Sequence, residues 1–146
     1  MGWITGIAAL AAAAVDMRRR EIPDVIPIAL LLAALVAACV GQPPGWSSRL
    51  IGFGSAFLVG AGLFYAGGFG GGDVKLLAAI GLALGVGELS TVLFWTAMAG
   101  AVHAVLAKRR GAEEIAYAPS IAVGVGITLL ARLVPLLGPF RPWLPD

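Results

Sequence analysis

Six apolar runs, broken only by short polar or glycine-rich stretches, occupy most of this 146-residue chain, at approximately 2–17, 23–40, 50–66, 74–86, 89–107 and 119–137. A chain that folds in water has to cover its surface with polar groups. Only 12% of the residues here are charged, about half the share usual in soluble domains, while 60% are hydrophobic. Lipid must therefore be the solvent for much of the surface. A spanning helix needs about 20 residues to cross about 30 Å of hydrocarbon. The first and fourth runs look short. The first reaches about 30 Å if it continues through Arg20 with its arginines snorkelling outward. The expected fold is all-α, a polytopic membrane bundle of about six transmembrane helices. No hydrophilic stretch is long enough to fold separately, so 1–146 reads as a single integral-membrane domain.

The basic residues orient this bundle. Arg18, Arg19, Arg20, Lys75, Lys108, Arg109 and Arg110 follow the odd-numbered runs, whereas Arg49, Arg132 and Arg141 fall on the opposite side. Seven against three predicts both termini outside and the odd-numbered breaks in the cytoplasm. Because the two basic clusters lie at the ends of apolar runs, they read as membrane anchors with lipid as partner and not as a nucleic-acid site. Cys39 is the only cysteine, which excludes an internal disulfide and a thiolate cluster. The first run carries its charges after the apolar residues, so it reads as a retained helix and not a signal peptide. Pro23 and Pro119 are expected to open the second and sixth helices. Residues 41–46 form an outer turn with Trp46 at the lipid–water boundary, and Trp143 anchors the C-terminal end in the same way. Gly81 and Gly85, four apart, let a neighbouring helix come close.

Most of the eight acidic residues have ordinary explanations. Glu113 and Glu114 follow a basic cluster in a solvated loop, and Glu88 and Asp146 fall in a turn and at the terminus. Glu21 and Asp24 flank Pro23, where a carboxylate gains from a helix N-terminus. Asp16 and Asp73 differ. Asp16 follows fourteen uncharged residues, and an ionised carboxylate near the membrane core is costly unless paired, protonated or wetted. An ion pair with Arg19 or Arg20 is the bland alternative. Asp73 follows Gly67-Gly68-Phe69-Gly70-Gly71-Gly72, a run that lets other backbone approach the carboxylate closely. A phosphate-binding loop would want a lysine and a hydroxyl directly after the glycines, and Asp73 would repel the anion; a structural glycine hinge is the other rival.

The expected orientation puts both aspartates at one membrane face. Two carboxylates from different helices suit general acid–base chemistry on a carbonyl, one taking a proton from water while the other polarises the carbonyl. Close carboxylates share a proton and titrate jointly. His103, the sole histidine, reads as a helix contact, since a triad or a zinc site would need companions that the sequence lacks. No metal or cofactor is implied. A proton-coupled small membrane transporter or channel component, and a noncatalytic scaffold, are the competing classes.

Gly70-Gly71-Gly72-Asp73, followed by Val74-Lys75-Leu76, resembles the Gly-x-Gly-Asp signature of type IV prepilin peptidases. Asp16-Met17-Arg18-Arg19-Arg20-Glu21-Ile22-Pro23-Asp24 is similar to that family's first aspartate motif, with Asp24 where asparagine is frequent. Tyr117-Ala118-Pro119-Ser120-Ile121-Ala122-Val123-Gly124 resembles the start of its last conserved helix. The resemblance implies a bacterial inner-membrane aspartic endopeptidase that removes the short basic leader from a prepilin or pseudopilin at the cytoplasmic face, with the pilus assembly machinery as a further partner. It implies Asp16 and Asp73 as the catalytic dyad, and Gly70 and Gly72 as the glycines shaping the second aspartate's approach. Without the cysteine-paired methyltransferase portion of larger members, the chain looks like the short Flp/Tad-type peptidases, whose compact plan archaeal-type relatives share, and N-methylation is not expected. Glu113 and Glu114 are candidates for attracting the basic leader.

Overall fold

The computed structural model describes residues 1–19, 21–109 and 117–133. These form six helices and, among the described residues, no strand: α1 (Gly2–Arg19), α2 (Val25–Cys39), α3 (Trp46–Tyr65), α4 (Gly71–Leu84), α5 (Val86–Arg109) and α6 (Ala118–Leu133). Helices are what long apolar runs must form in lipid, because every backbone N–H and C=O then finds its partner within the segment. α1 continues into the arginines, as its length required. α3 starts at Trp46, four residues before the apolar run was expected to begin. Pro119 is the second residue of α6, but Pro23 does not open α2. It precedes the N-cap Asp24, and its carbonyl accepts the Ile26 N–H at 3.1 Å. α3 stops where Gly67 takes φ of 77°, so that the Gly67 and Gly68 N–H groups close on the carbonyls of Phe64 and Leu63 at 2.9 and 2.8 Å. A residue with a Cβ would strain that left-handed turn.

α4 is the axis of the bundle. From Val74 to Leu84 every residue but Lys75 is buried. α3 packs on it most extensively, α2 covers a second side, and α1 and α5 touch it more lightly. α5 pairs with α6, and α6 with α1. At the α3–α4 crossing Gly52 faces Gly81, and a Cβ on Gly81 would stand 2.8 Å from that of Ala56. The small-residue approach expected from Gly81 is therefore realised. Gly85 also lies against α3, a Cβ on Gly52 standing 2.8 Å from its carbonyl carbon, and it ends α4 with φ of 78°. The outside of the bundle is apolar: Trp3, Ile7, Leu10, Leu32, Val36, Leu58, Phe94 and Val102 are all exposed. Such a surface would aggregate in water and is suited to lipid. α3 and the Val86–Leu106 part of α5 are long and apolar enough to cross a bilayer, and Val25–Cys39 and Ala118–Arg132 are shorter apolar helices.

Arg49 adds to the sequence reading, which gave it only a side of the bundle near a segment end: it is wholly buried. Its Nε donates to the Pro44 carbonyl at 2.8 Å. Nη1 reaches the carbonyls of Leu82, Ala83 and Ala34 at 3.0, 3.3 and 3.4 Å, and Nη2 those of Gln42 and Pro43, both at 3.2 Å. The guanidinium thus satisfies orphan carbonyls at the end of α4 and in the turn after α2, where the helix dipoles are negative. Starting α3 early is what carries Arg49 inward. Arg132 on α6 pairs with Glu88 on α5.

Arg49→Met would leave these carbonyls without their donor inside the bundle. The expected loss is on the order of 3 kcal/mol, read as a lower unfolding midpoint in detergent. Arg49→Lys should recover only part of it, because a single ammonium cannot span the same fan of acceptors. An unchanged midpoint for both variants would contradict the assignment of Arg49 as a structural tie.

Candidate active site

The C-terminal end of α1 and the N-terminal ends of α4 and α6 supply the two aspartates and the groups that hold them. Asp16 lies in the last turn of α1 and is 6% exposed. Its Oδ2 accepts the N–H of Ala118, the first residue of α6, at 3.3 Å. A helix N-terminus offers unpaired N–H groups and a positive dipole end, so it compensates a carboxylate without a countercharge. Arg18 and Arg19 are exposed, and among the described residues neither pairs with Asp16; Arg20 lies outside them.

Asp73 is the third residue of α4 and is 7% exposed. Its Oδ2 accepts the Gly70 N–H at 3.0 Å, the side chain reaching back to the N-cap as in a capping box. Oδ1 is buried and makes no hydrogen bond among the described residues. A buried carboxylate oxygen without a donor is costly. Lys75, two residues on, does not neutralise it: its Nζ meets Asp24 Oδ1 at 2.7 Å, in an exposed pair. The Phe69 and Tyr117 rings, 5.3 Å apart, join the segment before α4 to the residue before α6. One contact thereby links the supports of both carboxylates.

Asp16 and Asp73 line one cavity of about 230 Å³, together with Glu21, Ile22, Gly70, Gly71 and Gly72. Two buried carboxylates from different helices therefore open onto a common space with room for several waters. The glycines play unequal parts. Gly70 supplies the N–H for Asp73. A Cβ on Gly72 would lie 2.9 Å from that of Ile22, whereas one on Gly71 would meet nothing within 4 Å. Glu21, read from sequence as a helix-dipole partner of no special role, is a wall of the cavity. Its position between Asp16 and Pro23 was the available signal. Glu113 and Glu114 lie outside the described residues. His103 stays apart from the cavity. It is half-buried, with Nδ1 at 3.5 Å from Ser120 Oγ, on an apolar groove between α5 and α6.

Residues 3–105 match the model of the type IV leader peptidase family. The chain is 33% identical over 118 residues to a prepilin leader peptidase/N-methyltransferase of Bacillus subtilis, an alignment covering 77% of this chain and 48% of that protein. Proteins of the same name from Burkholderia pseudomallei and Aeromonas salmonicida are 32% and 30% identical over 133 and 127 residues. Those alignments cover 84% and 80% of this chain, and 43% and 44% of the two relatives. The chain thus spans about half the length of the curated relatives it matches. No solved structure gave a significant match. None of these similarities favours the transporter alternative.

The packing of Gly72 against Ile22 is testable by itself. Gly72→Ala should lower the unfolding midpoint in detergent, at about 1–3 kcal/mol for overpacking a tight contact. Gly71→Ala, with open space around it, should leave the midpoint unchanged or slightly raised. Equal effects at the two positions would contradict the geometry.

Proposed function

The chain belongs to the type IV leader peptidase family, and from that membership and its paired aspartates we propose that it is a membrane aspartic endopeptidase that removes the leader of a prepilin-like substrate. The observation that carries this reading is the shared cavity of Asp16 and Asp73, with Oδ1 of Asp73 left unbonded inside it. The relatives' names join a leader peptidase to an N-methyltransferase; the paired carboxylates speak to the peptidase part.

The chemistry follows from two carboxylates holding one proton between them. The ionised member takes a proton from water, and the resulting hydroxyl adds to the scissile carbonyl carbon. The protonated member gives its proton to the carbonyl oxygen, forming a neutral tetrahedral diol. Collapse breaks the C–N bond as the aspartate that took the water proton passes it to the leaving nitrogen. Meanwhile one diol hydroxyl gives its proton to the other aspartate and becomes the carbonyl of the new carboxyl end. The new carboxyl end and the new amino end then depart, and the pair again holds one proton. N–H groups from Ala118 and Gly70 keep each carboxylate in place through these exchanges. Gly71, where a Cβ would meet nothing within 4 Å, leaves room on the cavity wall for an extended peptide backbone.

The setting proposed is a bacterial inner membrane crossed six times, with both termini outside and the cavity at the cytoplasmic face, where the arginines of α1 lie. Substrates are prepilins or pseudopilins, delivered beside the enzyme by their own apolar segment, with a Flp/Tad-type pilus assembly machinery downstream and lipid as the surrounding partner.

Cleavage of a prepilin-like precursor by the purified protein in detergent tests the reading. Asp16→Asn and Asp73→Asn should each reduce release of the leader by at least about a thousandfold, while both variants still fold. Asp24→Asn, which removes only an exposed partner of Lys75, should keep most of the rate. Normal processing by either dyad variant would remove that residue from the chemistry.

A further inference from the structure

Glu21 is the third carboxylate on the wall of the cavity that holds Asp16 and Asp73. It differs from the other two in its setting. Asp16 and Asp73 are buried and held by backbone N–H groups, whereas Glu21 is exposed and has no hydrogen bond or ion pair among the described residues. The neighbouring acid Asp24 is already engaged by Lys75. Two features indicate a ligand that arrives from outside. Asp73 Oδ1, in a side chain more than nine-tenths buried, has no donor among the described residues and is free to bond a polar group that enters the cavity. The glycines of the same wall, Gly70-Gly71-Gly72, carry no side chain, and a Cβ on Gly71 would meet nothing within 4 Å. A peptide backbone lying against Gly71 would pass beside Glu21, which lines the same cavity.

Resting on the peptidase reading, we infer that Glu21 is a specificity-determining residue, which selects a substrate with a lysine or arginine close to the scissile bond by pairing with that cation. The dyad with its single proton carries one negative charge and Glu21 a second, so a cation entering the cavity mouth is attracted before its backbone reaches the aspartates. Glu21 leaves the proton transfers to Asp16 and Asp73. Its contribution is to the choice and register of the peptide, and it is supplied by the short connection between α1 and α2, which also packs Ile22 against Gly72.

The test uses two synthetic prepilin-like precursors, identical except for lysine or glutamine in the residues just before the cleavage site. The wild-type protein should prefer the lysine precursor in kcat/KM, with the difference in KM. Glu21→Gln should shrink that preference about fivefold, the usual scale of a partly exposed charge pair, and raised salt should shrink it in the wild type. Glu21→Lys should reverse it toward a precursor carrying glutamate there. An undiminished lysine preference in Glu21→Gln would overturn the inference and locate the selecting charge elsewhere. Binding of the same two precursors to Asp73→Asn, with and without Glu21→Gln, separates the two readings. Selective binding that depends on Glu21, in a wild-type protein that cleaves neither precursor, would sink the peptidase reading alone. Cleavage of both precursors at equal rates, with equal binding, would sink only the role of Glu21.

Discussion

Two carboxylates held inside an apolar bundle by helix N-termini are the constraint around which the rest of the molecule is arranged. Asp16 takes its hydrogen bond from the first residue of α6, and Asp73 from the residue that begins α4. Among the described residues neither is paired with a cation. This matters chemically. A carboxylate locked to an arginine would be a poor proton carrier, whereas one held by backbone N–H groups is oriented and still able to exchange its proton. The arrangement requires the end of α1 and the starts of α4 and α6 to meet. The contact between Phe69 and Tyr117 sits where those supports converge.

Packing fixes the axial positions on which that meeting depends. α4 is buried along nearly its whole length, and its other end is tied down by Arg49, whose guanidinium gathers carbonyls from α4, from α2 and from the turn between α2 and α3. The close Gly52–Gly81 crossing fixes how near α3 stands. With one end held by a cation among carbonyls and the other carrying a carboxylate beside N–H groups, α4 has complementary charge at both termini. Its placement therefore follows from interactions at its ends as much as from apolar contact along its sides.

What could be read in the sequence follows from which signals are local. Asp16 and Asp73 stood out because a charge inside an apolar or glycine run has few benign explanations, and the alternation of helices put them at one end of the bundle. Gly81 was legible because small-residue spacing has a packing meaning wherever helices associate. Arg49 was not. A cation at the edge of an apolar run usually faces headgroups, and only the early start of α3 and the carbonyls converging from three segments bury it. Glu21 was missed for a related reason: a glutamate near a proline and a helix start has a sufficient local explanation, and its place on the cavity wall depends on how α1 and α2 are joined in space. Pro23 was assigned a helix position by a rule that holds on average, but the chain begins α2 two residues later.

The central claim, that residues 16 and 73 share one cavity at one membrane face, is tested most directly by chemical proximity in intact membranes. Single cysteines placed at both positions, in a Cys39→Ser background, should be bridged rapidly by a short bifunctional thiol reagent. Both should also be labelled by an impermeant thiol reagent applied from the cytoplasmic side alone. No bridging, together with labelling of the two positions from opposite sides, would contradict the account at its foundation.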